Sequence, residues 1–175
     1  MNFIKKTLSE ISQNFTQLSE ECSTEINNAS LNIIDSLNKG GKIMFCGNGG
    51  SAADSQHLSA ELLGRYRINR EPLASIALST DTSTITAIAN DFSFDEIFAR
   101  QINALGKEGD ILYAISTSGK SKNIINAINT AKIKGINVIG VTGKNEADMK
   151  KICDILINVP SDRPDRIQEM HIAIG

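Results

Sequence analysis

The chain has 175 residues, 41% of them hydrophobic, which is enough for one well-buried core and, at the usual domain size, one domain. Its 18 basic and 20 acidic residues are mixed along the sequence to a net charge of -2, with no basic block able to follow a phosphodiester backbone, so nucleic acid is a poor direct ligand. Cys22, Cys46 and Cys153 lie far apart with no C-x-x-C pair, which speaks against a disulfide frame or a thiolate zinc site and for reduced cytosolic thiols.

The N-terminal "MNFIKKTLSEISQNF" has lysines but lacks the continuous apolar run of a signal peptide, and no transmembrane run follows, so a cytoplasmic protein without membrane contact is expected. Residues 3–38 place Phe3, Ile4, Leu8, Ile11, Phe15 and Leu18, then Ile26, Ala29, Ile33, Ile34 and Leu37, at helical spacing. Two helices are predicted, broken near Ser19 to Thr24 and ended by Gly40 and Gly41. Beyond them, β-rich runs alternate with helical periodicity: "KIMFCG", "LASIALST", "DILYAIST", "INVIGVTG" and "DILINVP". That alternation predicts an α/β core over 40–175: a five-stranded parallel, doubly wound sheet in a three-layer sandwich with helices on both faces. The helical pair in 1–39 is extra to the core and amphipathic, which suggests packing against a second copy of the chain.

Ligands of such sheets sit outside the carboxyl ends of the strands, and three strands end in small-residue loops: "CGNGGS", "STSGKS" and "VTGK". In "STSGKS", Ser116, Thr117, Ser118 and Ser121 precede a helix whose N-terminus offers unpaired N–H groups and partial positive charge. A serine there is also an ordinary helix cap, but a cap needs one hydroxyl, so four favour binding of a phosphate-sized anion. The "SGKS" piece is not a nucleotide cradle, because the glycine that motif needs five residues before Gly119 is Ala114. "GNGGS" is equally poor as a dinucleotide fingerprint, since the nearest acidic candidate, Asp81, lies too far on. Gly47, Gly49 and Gly50 instead allow backbone to approach a small ligand, with Asn48 and Ser51 as polar contacts.

On the helix after that turn, His57 and Glu61 share a face at i, i+4, with Asp54 a turn earlier. The pair is either a surface hydrogen bond or two groups offered to one metal or reacting centre. His171 is the other histidine. Arg65, Arg67 and Arg70 read as a solvated basic rim, Arg65 being placed to help hold an anionic substrate.

Taken together, "CGNGGSAADSQHLSAELLGRYRINR", "ANDFSFDEIFARQINALGKEGDILYAISTSGKS" and "DRIQEMHI" resemble the sugar isomerase (SIS) family over almost the whole chain. The resemblance implies a flavodoxin-like SIS domain, a homotetramer with active sites between subunits, and one zinc ion per subunit. It implies zinc ligation by His57, Glu61 and Gln168, with a further histidine expected just beyond Gly175, so that the final helix reads as shortened. It further implies isomerisation of sedoheptulose 7-phosphate to D-glycero-D-manno-heptose 7-phosphate through an enediol, the first step of bacterial ADP-heptose or GDP-heptose synthesis for lipopolysaccharide or capsule. Glu61 would be the base. Phosphate would rest on Ser116, Thr117, Ser118 and Ser121, and the sugar on Asn48, Gly49, Gly50, Ser51, Glu61, Asn90, Asp91, Asp165 and Gln168. Asp91 equally suits a helix N-cap ahead of "FSFDEIFAR", and Asp165 a surface ion pair. A non-catalytic SIS protein, serving as a sugar-phosphate sensor or as a tetrameric partner of a replication initiator, is the rival reading, and it has no need of His57, Glu61 and Gln168 together.

Overall fold

The computed structural model describes residues 2–145 and 148–175. Helix α1 (Asn2–Asn38) leads into β1 (Ile43–Cys46), α2 (Gly50–Leu63), β2 (Ser75–Ala77), α3 (Thr82–Asp91), a 3-10 turn (Phe94–Glu96) and α4 (Ile97–Leu105). Then come β3 (Ile111–Ile115), α5 (Lys122–Ile133), β4 (Asn137–Thr142), α6 (Met149–Ile152), β5 (Ile155–Asn158) and α7 (Pro164–Ile174). All strand pairs are parallel, in the order β2-β1-β3-β4-β5. The expected five-stranded doubly wound sheet is therefore present.

The central strands "IMFC" and "ILYAI" are buried at every position, as strands covered on both faces must be. Their side chains alternate between two apolar layers. Ile43, Phe45, Tyr113, Ile115, Ile139 and Val141 pack with Leu18 of α1, Leu58 of α2, and Ile167 and Met170 of α7. Met44, Cys46, Leu112, Ala114 and Val138 pack on the other side with Phe98 and Ile102 of α4 and Ile124, Ala127 and Ile128 of α5. The first layer carries α2 and α7, so it positions one half of the site; the second carries α5 and positions the other.

The predicted break near Ser19 to Thr24 does not occur: α1 is one helix of 37 residues. The polar run "SEECST" suggested the break, yet the segment has no glycine or proline to stop a helix. Leu18, Cys22, Ile26, Ala29 and Ile33 keep one helical stripe on the core through the polar run. Ser23 and Ser30 turn their hydroxyls onto the carbonyls of Ser19 and Ile26, so these polar groups are satisfied within the helix. Cys22 donates to the Asn158 carbonyl (3.4 Å) and Ser36 to the Gly109 carbonyl (2.6 Å), fixing the helix on one face of the sheet. Phe3, Ile4, Leu8, Leu31 and Ile34 remain exposed on α1. No helix among the described residues is long and apolar enough to cross a membrane.

Candidate active site

The strand order reverses between β1 and β3, and the ladder joining them ends at Cys46 and Ala114. Beyond that point the loops Gly47–Gly49 and Ser116–Ser121 diverge, opening the crevice in which ligands of such sheets bind. In the first loop a Cβ at Gly47 would meet the Ser51 carbonyl oxygen at 2.5 Å, so only glycine permits so tight a turn. Gly49 adopts φ of 56° and starts α2. The Ser51 N–H donates to the Asn48 carbonyl (3.0 Å) and the Ala52 N–H to the Gly49 carbonyl (3.1 Å). Ser51 itself is buried. The Asn48 amide, expected to face a sugar, pairs instead with the Asn123 amide in two reciprocal hydrogen bonds of 2.9 and 2.8 Å.

The second loop is arranged as an anion cradle. Gly119, at φ of 64°, turns the chain back so that its N–H donates to the Ser116 carbonyl (3.1 Å). Ser121 is the N-cap residue of α5, but its side chain makes no capping hydrogen bond. Its hydroxyl instead accepts from Ser116 (3.3 Å), while the Ser118 hydroxyl accepts from the Lys120 N–H (3.2 Å). The N–H groups of Lys122 and Asn123, in the first turn of α5, are without acceptors among the described residues. A helix start left uncapped beside four hydroxyls, with its dipole pointing at the crevice, favours an anion. A shallow cavity of about 190 Å³ adjoins the loop, and its lining adds Lys120 and Lys144 to Thr117 and Ser118. Lys144 and Asn123 were not singled out in the sequence. Asn123 carries one usable signal, since it continues the buried stripe of Ala127 and Ala131 as a polar residue.

Across the crevice, α2 holds His57 and Glu61 with Nε2 and Oε1 3.3 Å apart, both partly exposed. The spacing follows from the i, i+4 geometry of a helix. Asp54 lies one turn earlier, its Oδ2 buried without a hydrogen-bond partner among the described residues. Burial raises its carboxyl above the usual carboxylate range, opposed by His57. Gln168 sits on α7 against the first turn of α2: a Cβ at Gly50 would meet its Nε2 at 2.9 Å. His57 lies on the order of 10 Å farther along the helix. The structure thus brings His57 and Glu61 together and leaves Gln168 beside the glycine turn.

These donors suit zinc in kind, being an imidazole nitrogen, a carboxylate oxygen and an amide oxygen. Zinc bond lengths of about 2.0–2.2 Å place neighbouring ligand atoms of a tetrahedral ion about 3.3 Å apart, the spacing of His57 and Glu61. Gln168 meets the first turn of α2, about two turns before His57.

The remaining expectations divide. Asp91 ends α3 and accepts from the Asn90 amide (2.8 Å), so it is not the N-cap ahead of "FSFDEIFAR"; Ser93 precedes that turn. Asp165 forms the ion pair anticipated for it, 2.8 Å from Arg163 and 3.6 Å from Arg166, which hold its carboxyl below the usual range. Arg166 is buried and also meets Glu10 and Glu169, tying α7 to α1. Arg65 and Arg67 are exposed, Arg67 lying 5.4 Å over the Tyr66 ring. Arg70 departs from the solvated rim expected of it: its guanidinium donates to the carbonyls of Glu61 and Leu62 (both 2.9 Å) and fastens the end of α2. His171 is buried, and burial lowers its pKa to about 4 against an opposing contact with the Thr142 backbone.

Comparison with known proteins identifies the family. Residues 8–143 match the SIS domain family. Over 175 residues the chain is 49% identical to the phosphoheptose isomerase of a Nitratiruptor species, covering 100% of this chain and 94% of that protein. It is 54% identical over 155 residues to the phosphoheptose isomerase of Rhodospirillum rubrum, covering 89% and 82% respectively. Among solved structures, phosphoheptose isomerase from Neisseria gonorrhoeae superposes with a TM-score of 0.93 at 39% identity, covering 99% of this chain and 92% of that one. The chain therefore belongs to the SIS domain family, in the branch whose relatives carry the name phosphoheptose isomerase.

Proposed function

We propose that this protein is an aldose-ketose isomerase interconverting sedoheptulose 7-phosphate and D-glycero-D-manno-heptose 7-phosphate. The observation that carries the reading is the uncapped, serine-lined start of α5, which lies at the same end of the parallel sheet as the glycine turn leading into the helix of His57 and Glu61. An anion held at the start of α5 fixes one end of an extended sugar phosphate, so that the other end reaches α2 without a further search. The likeness to the isomerases of Nitratiruptor and Rhodospirillum over most of both chains supports the substrate class.

In this reading Ser116, Thr117, Ser118 and Ser121 hold the phosphate. Gly49 and Gly50 let the backbone approach the sugar, with Asn90, Asp91 and Gln168 near its hydroxyls. Glu61 takes the proton from C1 of the ketose. The C1–H electron pair becomes the C1=C2 bond, and the carbonyl oxygen on C2 gains a proton, giving the enediol. Return of the proton to C2, with loss of the proton from the oxygen on C1, yields the aldose. His57, Glu61 and Gln168 would hold a zinc ion, which when bound supplies Lewis-acid stabilisation of negative charge on the sugar oxygens. Gln168 reaches such a set most simply from a second subunit, which fits a homotetramer with sites between subunits and the exposed apolar side chains at both ends of α1. The site of action is the cytoplasm.

The test is an isomerase assay coupled to detection of the aldose phosphate, run with metal analysis of the purified protein and light scattering for its mass. Turnover with about one zinc per subunit in a tetramer is expected. Binding of the ketose phosphate without any turnover would leave a sensor or adaptor as the better account.

A further inference from the structure

The two loops of the crevice are 75 positions apart in sequence, and among the described residues one hydrogen-bonded link joins them beyond the ends of β1 and β3: the amides of Asn48 and Asn123. The Asn48 Nδ2 donates to the Asn123 Oδ1 (2.9 Å) and the Asn123 Nδ2 to the Asn48 Oδ1 (2.8 Å). Each amide therefore uses a donor and an acceptor on the other, a reciprocal pairing that two carboxamides satisfy and that an alanine at either position would lose. Asn123 is 2% exposed, and it occupies the second position of α5, beside the helix start that faces the anion. Asn48 sits in the turn that begins α2, where its carbonyl accepts the Ser51 N–H. A partly buried pair with both bonds made is held in place, and removing Asn48 leaves the buried amide of Asn123 without compensation.

We propose that the Asn48–Asn123 pair is a positioning device: it sets the spacing between the anion cradle on α5 and the proton-transfer face on α2. Neither amide needs to touch the substrate for this. The proposal rests on the isomerase reading for its catalytic consequence, and on geometry alone for its mechanical one. The hydroxyls and helix N–H groups of the cradle are untouched when the link is cut, so anchoring persists while the distance from anion to base is no longer fixed. Misplacement by about 1 Å at a reacting centre costs on the order of 100-fold. Loss of the link should therefore fall on kcat and not on KM. A carboxylate at position 123 behaves differently, because it keeps one bond to Asn48, turns the other into an O···O contact, and sets negative charge beside the anion.

The experiment compares wild type with Asn123→Ala, Asn48→Ala, the double alanine variant and Asn123→Asp. Expected are a fall in kcat of about 10- to 100-fold in each single alanine variant, with KM and competitive inhibition by inorganic phosphate within about threefold. The double variant should fall no further than the worse single one, since both remove the same link. Asn123→Asp should raise KM and weaken inhibition by phosphate as well. Hydrogen exchange gives a readout independent of activity: in Asn123→Ala the N–H groups of Ser51, Ala52 and Ala53, on the opposite loop, should exchange faster. If Asn123→Ala fails to fold, Asn48→Ala carries the test, read by exchange at residues 119–124. Unchanged exchange across the crevice, or single-variant effects that add in the double, would overturn the proposal. Absence of turnover in wild type would instead overturn the isomerase reading, while the exchange result still decides whether the pair couples the loops.

Discussion

The serine loop and the His57–Glu61 face are built in opposite ways. The loop lies at the centre of the sheet, with Ser116 buried, a glycine turn and hydroxyls that bond one another. His57 and Glu61 lie partly exposed on the outer surface of α2, and across 3.3 Å they have chiefly each other. The serine loop is thus tied into the core of the fold, whereas the His57–Glu61 face is open. Binding and chemistry should accordingly separate under mutation.

The largest separation is expected from Glu61→Gln, which keeps the shape and removes the base. Its kcat should fall by about 100- to 10,000-fold while calorimetry finds the ketose phosphate still bound. Normal turnover in that variant would remove Glu61 from the proton transfer. A second probe tests α7, which carries Gln168 and buries His171. The folded-state pKa of His171 is lowered to about 4 from 6.5, so the unfolded chain binds the proton first as pH falls. Its contribution to stability is complete above about pH 6.5 and should be lost progressively down to pH 4, by on the order of 3 kcal/mol. Urea unfolding at several pH values reads this slope, and His171→Leu should flatten it.

Smaller and opposite in kind is Ser121→Ala, which removes one hydroxyl from the anion. A hydrogen bond to a charged group corresponds to about 10- to 100-fold, here in KM with kcat nearly unchanged. A matching fall in kcat with constant KM would mean that the loop acts on the chemistry and not on anchoring. The least effect is expected at Arg70, whose guanidinium closes the C-terminus of α2. Arg70→Ala should cost about 1–2 kcal/mol of stability, read as a lowered melting temperature, with the kinetics little altered.

Much of the fold was legible because its signals are local and repeat. Buried parallel strands appear as apolar runs, and the turn residues between them fall where loops must be. The break expected in α1 shows the limit of such reading. "SEECST" lowers local helix preference, but Leu18, Cys22 and Ile26 dock on the sheet, and packing over several turns outweighs a few polar residues. Arg70 shows the same limit at the surface, since nothing in "RYRINR" says which arginine folds back onto carbonyls 8 and 9 residues earlier.

By itself, the sequence determined the alternating sheet, the glycine turn, the serine-lined helix start and the shared face of His57 and Glu61, because each depends on neighbours within a few positions. Only the tertiary structure decided that Asn48 spends its amide on Asn123, that Ser121 leaves its helix uncapped, and that Gln168 rests against Gly50 instead of His57. Those outcomes depend on how far apart two loops or two helices come to lie, a distance set by the packing of the whole sheet.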